Sequence, residues 1–389
     1  MKVICIDGNE ANVNQPVGVS IYTLNLLHEF KRYSSDEVRF CTYLRHHPQL
    51  HMPRESKYFR YRVVWGPIGW NRFFLPLQLR IDYLVQRIRH IFDMRTIWFH
   101  SFFAPAHYAP PWLPPGCKLV VTIHDLAFHF FPDEFLKKDL YKLKRWTAEA
   151  VHRAKHIIAV SLHTKNDIIR QYHISEARIH MIPNGFRFQK PVQTHETYTP
   201  GNFIIGKTSY PLKSREYVLF VSTLQPRKNI KTLLYAFALF HKEQPDQHLV
   251  IVGKKGWMYE EIFQTVHKLQ IDNVVHFTGY ISELDKMRLY SHALCYVLPS
   301  LYEGFGFPLL EAFAASCPVL CSNNSSLPEV GGDAPLYFKP DSVQELLDRL
   351  RLVEKDFKLS SNMVDLGHAR LREYSWEKCG QQTLEVLLK

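Results

Sequence analysis

The stretch Ser300-Leu-Tyr-Glu-Gly-Phe-Gly-Phe-Pro-Leu-Leu-Glu311 decides the fold, because it predicts a tight turn that leads from a strand into a helix. The preceding run 293–299 is apolar and predicts a short buried strand. Pro308 suits the first helical position, where its missing N–H costs nothing. The backbone amides of a glycine-rich turn at a helix N-terminus, with the helix dipole behind them, favour a bound phosphate.

Two carboxylates, Glu303 and Glu311, lie on either side of this turn. Glu303 precedes the turn and Glu311 lies about one helical turn inside, so neither is expected to face a bound phosphate. Each suits a hydrogen-bond acceptor for hydroxyls at opposite ends of one ligand, such as a ribose and a sugar ring. The local pattern alone equally allows a structural role, since a Glu in the first turn also stabilises the helix dipole.

Strand-like and helix-like runs alternate along the rest of the chain. The predicted strands are Val3–Ile6, Ile97–His100, Leu119–Ile123, His156–Val160, Ile179–Ile182, Tyr217–Val221, His248–Val252, Val274–Phe277, Leu294–Leu298 and Val319–Ser322. The predicted helices are Ser20–Arg32, Leu136–His152, Ile230–Glu243 and Met258–Leu269. This alternation predicts an α/β protein with parallel sheets and crossover helices, folded as two doubly wound, Rossmann-like domains.

A chain of 389 residues is expected to form about two domains. We predict a first domain over 1–190, a Pro- and Thr-rich linker with a strand or hairpin over 191–215, and a second domain over 216–370. A C-terminal helix over 371–389 is expected to pack back toward the first domain. Because ligands bind beyond the carboxyl ends of parallel strands, the active site is expected in a cleft between the domains.

The composition narrows the class of protein. No stretch of about 20 apolar residues is present, so a membrane-spanning helix is not expected. The run Met1–Gly8 resembles a first strand more than a signal peptide, which predicts a cytoplasmic protein. Seven scattered cysteines, several in apolar runs, are expected to be reduced.

The net charge of +11 lies almost entirely in residues 1–185, which hold 25 basic and 15 acidic side chains. Between Arg45 and Arg95, arginines alternate with aromatic residues. That mixture suits an anionic membrane surface, an anionic acceptor or nucleic acid, and a merely solvated basic face is equally consistent with it. No nucleic-acid recognition module is present, so a nucleic-acid partner is not predicted.

A second element of the presumed ligand site follows the strand Tyr217–Val221. The next turn carries adjacent cations, Arg227 and Lys228, and then a helix begins. Basic pairs in loops are usually solvated, but a guanidinium beside an ammonium is also able to clamp a diphosphate. Because the glycine turn at 303–311 falls in the same domain, the pair predicts the second half of a pyrophosphate site.

Taken together, these motifs make the chain similar to the GT-B glycosyltransferases of family 4. That large, retaining group includes mannosyltransferases of bacterial cell-surface polysaccharides. The resemblance covers nearly the whole chain and rests on Gly18–Leu27, Thr122–Leu126, Ala159–Ser161, Pro183–Gly185, Pro226–Asn229, Val252–Gly253, Thr278–Tyr280, Pro299–Ala312 and Ser325–Asp333.

The resemblance implies a role for each matching donor-site residue. Glu311 corresponds to the carboxylate that binds the ribose hydroxyls of the nucleotide, and Glu303 to the catalytic carboxylate beside the donor sugar. Lys228, helped by Arg227, corresponds to the cation on the donor diphosphate. The backbone of Gly306 and Phe307 is expected to bind the same phosphates.

The resemblance extends the site to three further positions. Gly253 is expected at the donor site, and Gly18 in a glycine loop that approaches the diphosphate from the first domain. His124 corresponds to a histidine that lines the sugar site. Two departures from the family pattern concern the phosphate contacts: Ser222 stands where many relatives have an arginine, and Ser20 where many have a second glycine.

The implied reaction is hexosyl transfer with retention, in which the departing phosphate takes the acceptor proton. The chain has no Asp-x-Asp motif, so we expect no metal and no other cofactor. GDP-mannose is the favoured donor, with a UDP-sugar as the alternative, and the acceptor is expected to be a glycan or a lipid-linked glycan. The alternatives are an epimerase or hydrolase of the same fold and a non-catalytic protein that binds sugar or nucleic acid.

Overall fold

A computed structural model describes residues 1–15, 17–66, 69–92, 98–187, 203–205, 208–210 and 213–389. The chain divides into two compact units. Unit 1 comprises Met1–Phe130, Phe135–Gly185 and Tyr374–Lys389, and unit 2 comprises Phe131–Glu134 and Phe186–Glu373. The C-terminal residues therefore belong to the same unit as the N-terminus.

Unit 1 is built on a seven-stranded parallel sheet in the order β3-β2-β1-β4-β5-β6-β7. Its strands are β1 (Lys2–Asp7), β2 (Val38–Leu44), β3 (Phe59–Val63), β4 (Trp98–Ala104), β5 (Lys118–Ile123), β6 (His156–Ala159) and β7 (Ile179–Met181). Its helices are α1 (Gly18–Tyr33), α2 (Phe74–Phe92), α3 (Ala127–Phe130), α4 (Lys137–Arg153), α5 (Leu162–Tyr172) and, from the end of the chain, α13 (Trp376–Leu388).

Unit 2 is built on a six-stranded parallel sheet in the order β12-β11-β10-β13-β14-β15, with the antiparallel pair β8 (Phe203–Ile205) and β9 (Thr208–Tyr210) before it. The sheet strands are β10 (Tyr217–Val221), β11 (His248–Val252), β12 (Val275–Gly279), β13 (Cys295–Leu298), β14 (Val319–Ser322) and β15 (Leu336–Phe338). The helices are α6 (Ile230–Glu243), α7 (Glu260–Leu269), α8 (Glu283–His292), α9 (Phe307–Ala314), α10 (Leu327–Gly331), α11 (Val343–Lys355) and α12 (Phe357–Leu371).

Each sheet reverses its strand order once, and that point fixes where ligands are able to bind. The reversal lies between β1 and β4 in unit 1 and between β10 and β13 in unit 2. Helices cover both faces of such a sheet, so its central strands are largely apolar. In β10 all five residues are apolar and buried. Loops that leave the carboxyl ends of these strands diverge on either side of the reversal and leave a crevice there.

The structure confirms the predicted α/β class and the two Rossmann-like units. The predicted bounds of β10, β11, β14 and α6 coincide with the observed ones. The prediction missed β2, β3 and α2, of which β3 and α2 lie in the arginine- and aromatic-rich region. The apolar residues of β3 alternate with arginines, and α2 exposes part of its apolar surface, so no uniform apolar run marks these two elements.

Three sequence expectations concern single features. All seven cysteines are free. In the part of the chain that the structure describes, no helix is long and apolar enough to cross a membrane. Most of the linker expected over 191–215 lies outside the described residues, which include β8 and β9 there.

Candidate active site

The turn after β10 is rigid because side chains tie it to the neighbouring loops. Pro226–Lys228 forms one turn of 3-10 helix, and Asn229 follows with a left-handed backbone at a φ of 54°. The Asn229 side-chain amide donates hydrogen bonds to the carbonyl of Pro299, at 3.0 Å, and to that of Pro340, at 2.6 Å. Left-handed backbone suits Asn better than most residues. The turn is thereby fixed beside the loop that follows β13.

The fixed turn brings Lys228 into a buried ion pair with Glu303. The Lys228 ammonium donates to the Glu303 carboxylate at 2.6 Å, and the Arg227 guanidinium lies 3.6 Å from its other oxygen. The Ser300 hydroxyl donates to the same carboxylate at 2.6 Å. Lys228 and Glu303 are each only 8% exposed. Charges are buried this deeply only with partners, so the three groups depend on one another.

The charge state of Glu303 follows from this neighbourhood. Burial alone raises the pKa of the Glu303 carboxyl, but the charges of Lys228 and Arg227 and the hydrogen bonds from Lys228 and Ser300 outweigh burial and hold its pKa below the ordinary value. Glu303 is therefore ionised at neutral pH and accepts hydrogen bonds only. A carboxylate in this state is unsuited to act as a general acid.

The glycine turn has the geometry that the sequence predicts. Gly306 has a φ of +107°, in the region that side chains disfavour, and a Cβ there would lie 3.1 Å from Leu327. The Ser326 hydroxyl donates to the carbonyls of Glu303 and Phe305, at 2.9 and 3.0 Å. Helix α9 then begins at Phe307 with proline in its first turn. The turn thus carries Glu303 on one side and a helix N-terminus on the other.

Glu311, one turn inside α9, belongs to a second polar cluster. Its carboxylate accepts hydrogen bonds from the Lys286 ammonium at 2.8 Å and from the Tyr290 hydroxyl at 3.3 Å, both on α8. Burial raises the pKa of Glu311, although the Lys286 charge opposes this shift. Lys286 also pairs with Glu283 at 2.8 Å. The sequence analysis missed Lys286 and Tyr290, since no local pattern links α8 to α9.

Gly253 has a structural reason to be glycine. It follows β11 with a φ of +149°, and a Cβ there would collide with the backbone carbonyl of Ser222. The Ser222 amide in turn donates to the carbonyl of Val252 at 3.0 Å. The backbones that leave β10 and β11 therefore approach more closely than any side chain at 253 would allow.

In unit 1, His124 lies in the loop after β5. Its Nε2 is 2.7 Å from the carbonyl oxygen of Pro105, and the Tyr22 ring packs edge-on at 4.9 Å between ring centroids. Burial, and then the nearby His107, lower the pKa of His124 to about 4. A carbonyl only accepts, so the neutral ring carries its proton on Nε2 and presents Nδ1 as an acceptor. That state suits hydrogen bonds from sugar hydroxyls.

The predicted site residues thus fall into two groups. Arg227, Lys228 and Glu303 are in direct contact, and the elements that carry Gly306, Phe307, Glu311 and Gly253 belong to the same unit. His124 belongs to unit 1, as does Gly18, which begins helix α1 rather than lying in a glycine loop. Among the described residues, no three His, Cys, Asp or Glu side chains are grouped to hold a metal ion.

Two family models match the chain, one in each half. Residues 16–190 match the model described as Glycosyltransferase Family 4, and residues 207–369 match the model described as Glycosyl transferases group 1. Together with two parallel-sheet, Rossmann-like units, these matches define a glycosyltransferase of GT-B fold. The chain belongs to the group 1 glycosyltransferases and is mannosyltransferase-like.

Individual relatives agree with this assignment. The chain is 29% identical over 315 residues to the O-antigen chain mannosyltransferase B of Escherichia coli, a match that covers 80% of each chain. It is 28% identical over 236 residues to the O-antigen chain mannosyltransferase RfbU of Salmonella typhimurium, with 60% of each chain covered.

Solved structures share the fold over the full length. Sucrose-phosphate synthase from Thermosynechococcus elongatus has a TM-score of 0.68 at 17% identity, covering 99% of this chain and 97% of that one. Anabaena HepE, solved with UDP and glucose, has a TM-score of 0.67 at 18% identity, covering 100% and 99%.

Proposed function

We propose that the protein transfers a hexose, with mannose favoured, from a nucleoside diphosphate sugar to a hydroxyl of a glycan or lipid-linked acceptor in cell-surface polysaccharide synthesis. The observation that carries the proposal is the contact of Lys228 and Arg227 with Glu303 at the strand-order reversal of unit 2. The names of the mannosyltransferase relatives support the sugar and the pathway class. HepE, solved with UDP and glucose, supports a nucleotide-sugar donor.

The donor diphosphate is proposed to lie against Arg227 and Lys228. Both cations contact Glu303, and Arg227 also interacts with the Glu134 carboxylate, so bound phosphate oxygens are proposed to share these cations with the two carboxylates. The N-terminus of α9 at Phe307 adds its dipole. In this proposal the two cations and the backbone amides neutralise the leaving phosphate, and no metal ion or other cofactor takes part.

The two glutamates have separate roles in the proposed reaction. Glu303, ionised and fixed by Ser300, accepts hydrogen bonds from hydroxyls of the transferred sugar, and Glu311 accepts them from the ribose. The bond between the sugar's anomeric carbon and the phosphate oxygen breaks, and the acceptor oxygen bonds to that carbon from the same face. The departing phosphate takes the acceptor's hydroxyl proton, so retention needs no protein nucleophile.

An anionic membrane surface is proposed as the place where a lipid-linked acceptor is met. Helix α2 buries Leu75 and Leu79 but exposes a second apolar stripe. Leu77, Ile81, Leu84 and Ile88 are 43 to 59% exposed and recur at helical spacing. An exposed apolar stripe among arginines is typical of a helix that lies in a lipid interface.

Thermal denaturation with nucleotides tests the donor proposal. A ligand that binds only the folded state raises the melting temperature with its concentration and affinity. We expect GDP and GDP-mannose to raise it most, with UDP, ADP and their sugars measured beside them. If none of these compounds raises the melting temperature, the proposal is contradicted. If UDP raises it more than GDP does, a UDP-sugar replaces GDP-mannose as the proposed donor.

Product analysis separates the proposed transferase from an epimerase or hydrolase of the same fold. We expect a new glycoside only when an acceptor glycan is present, with an intact donor in its absence. Conversion of the donor at equal rates with and without acceptor would favour the alternative. The mannosyltransferase relatives make transfer the expected result.

A further inference from the structure

Unit 1 contains a cavity that none of the residues discussed so far line. It has a volume of about 220 Å³, and its lining residues come from the segments that follow β3 and β4 and from α4. Its principal lining side chains are Trp70, Asn71, Arg72, Tyr108, Trp146 and Glu149. Cavities of roughly 300 to 1,000 Å³ hold drug-sized ligands, so this one suits a ligand of about one six-membered ring.

Aromatic rings form the walls of the cavity and are held in place. The rings of Tyr108 and Trp146 pack edge to face with 5.3 Å between their centroids. The Trp70 indole N–H donates to the carbonyl of Val64 at 2.7 Å, and Trp70 is 6% exposed. The C–H faces of a pyranose ring are apolar and stack on such rings, which lose little conformational freedom in doing so.

The remaining lining groups are polar and offer both kinds of hydrogen bond. The Arg72 guanidinium donates to Glu149 at 2.9 Å, and Arg153 also reaches that carboxylate at 3.4 Å. The side-chain oxygen of Asn71 is buried and has no hydrogen-bond partner among the described residues. The Arg72 and Glu149 side chains are 33% and 28% exposed, so they, rather than the Asn71 oxygen, offer accessible polar atoms to a ligand.

The charged lining side chains are paired with each other. Arg72 and Glu149 line the cavity and form an ion pair, and Arg153, which is outside the lining, also contacts Glu149. A hydroxyl both donates and accepts, and is therefore able to bond with Glu149 and with Arg72. The aromatic walls and this ion pair match one neutral sugar ring better than an aliphatic ligand.

We propose that this cavity binds one neutral pyranose ring of the acceptor glycan. The inference rests on the proposed glycosyl transfer and adds a named acceptor subsite to it. His107, the residue before Tyr108, has its ring centroid 6.0 Å from that of His124. Tyr108 and His124 lie in the loops that follow the neighbouring strands β4 and β5, so the cavity and the histidine assigned to the sugar site belong to the same edge of the sheet.

Direct binding tests the subsite. Saturation-transfer NMR with methyl α-D-mannopyranoside and methyl α-D-glucopyranoside is compared for the wild type, Trp146→Ala and Ala109→Leu, which fills the cavity without removing a polar group. Trp112→Ala is the matched control, since Trp112 is 52% exposed and does not line the cavity. We expect both cavity variants to lose most of the transfer signal of at least one glycoside and the control to keep it. Unchanged signals in both folded cavity variants would overturn the proposal.

Kinetics separate failure of the subsite from failure of the proposed function. With an acceptor glycan that is turned over, Trp146→Ala should raise the acceptor KM at least tenfold while the nucleotide-induced melting shift stays as in the wild type. If Trp146→Ala turns over the acceptor with an unchanged KM and keeps its NMR signals, the cavity is not an acceptor subsite, but the proposed transferase activity stands. If the cavity variants lose the glycoside NMR signals but the wild type transfers no sugar to any acceptor, the subsite stands and the proposed glycosyl transfer is rejected.

Discussion

At the scale of single residues, the buried contact of Glu303 with Lys228 limits what each group is able to do. The carboxylate stays ionised because two cations face it, and the ammonium stays buried because a carboxylate faces it. A diphosphate that binds Arg227 and Lys228 must therefore share them with Glu303. This competition makes neutral substitutions at 303 informative, since they release the cations without moving them.

Glu303→Gln is expected to lower the transfer rate by about 100- to 1,000-fold, the size typical for removal of one preorganised electrostatic contact. Binding of nucleoside diphosphate should persist or strengthen, because Lys228 and Arg227 lose their competing carboxylate. Initial rates and calorimetric titration with the nucleotide give the two quantities. Glu260→Gln, an exposed substitution in the same unit, is the control. Full turnover by Glu303→Gln would remove the assigned role.

Glu311→Gln should act on binding rather than on turnover. A hydrogen bond to a charged group contributes about 1.5–3 kcal/mol, so loss of the charged acceptor is expected to weaken nucleotide binding by roughly 10- to 100-fold. At saturating donor the rate should stay within a few-fold of the wild type. The donor KM and the maximal rate, measured separately, check this. A fall in the maximal rate with an unchanged KM would assign Glu311 to the chemical step instead.

His124 predicts an acid-dependent loss of stability. Its folded pKa of about 4 lies below the value of 6.5 expected when unfolded, so the unfolded chain binds a proton that the folded chain refuses. The contribution of neutral His124 to the free energy of unfolding is complete above pH 6.5. It falls by at most about 3 kcal/mol as the pH is lowered from 6.5 to 4. His124→Gln should therefore lose less stability on acidification than the wild type. Denaturant melts at pH 7.5 and 5 test this, and parallel loss in both proteins would contradict it.

At the scale of elements, helix α2 exposes an apolar stripe that packing within unit 1 does not explain. Replacing Leu77 and Leu84 together by Glu should abolish sedimentation with vesicles that contain phosphatidylglycerol, because both side chains are more than half exposed and lie on one stripe. The melting temperature should not fall. Leu239→Glu with Leu352→Glu, two exposed leucines on helices of unit 2, is the matched control. Vesicle binding that survives the α2 substitutions would reject this surface.

The elements also show how far local pattern determines the fold. Strands β10, β11 and β14 were predicted to the residue, because strands covered on both faces are continuously apolar. In β3 the sequence Phe-Arg-Tyr-Arg-Val alternates with charge, and only Phe59 is buried. Such an edge strand depends on its neighbour β2 rather than on its own pattern.

The site shows the same division between local and distant information. The glycine turn and the cation pair were predicted from the sequence because each consists of a few adjacent residues. The contact between Glu303 and Lys228 joins positions 75 apart, and it follows only when β10 and β13 become neighbours. Lys286 and Tyr290 were missed for that reason, as were the aromatic walls of the unit 1 cavity.

At the scale of the whole molecule, the chain ends in the unit where it began. Helix α13 packs against α1 and β4, and its buried side chains include Trp376 and Leu387. The Ser101 hydroxyl on β4 donates to the carbonyl of Leu387 at 2.9 Å. Unit 1 is therefore completed only when the last residues are present, although most of its sheet precedes unit 2 in sequence.

Gly380→Leu tests this dependence. Gly380 is buried on α13, and a Cβ there would lie 2.7 Å from Cβ of Glu29, which is itself buried on α1. Overpacking of this kind costs about 1–3 kcal/mol, so amide hydrogen exchange in α1 and β4 should accelerate by roughly 5- to 150-fold. Gln381→Leu, at the exposed neighbouring position, adds the same side chain without that contact and should leave exchange unchanged. Retained nucleotide binding shows that unit 2 is folded in both variants, and equal exchange in the two would mean that α13 does not support the core of unit 1.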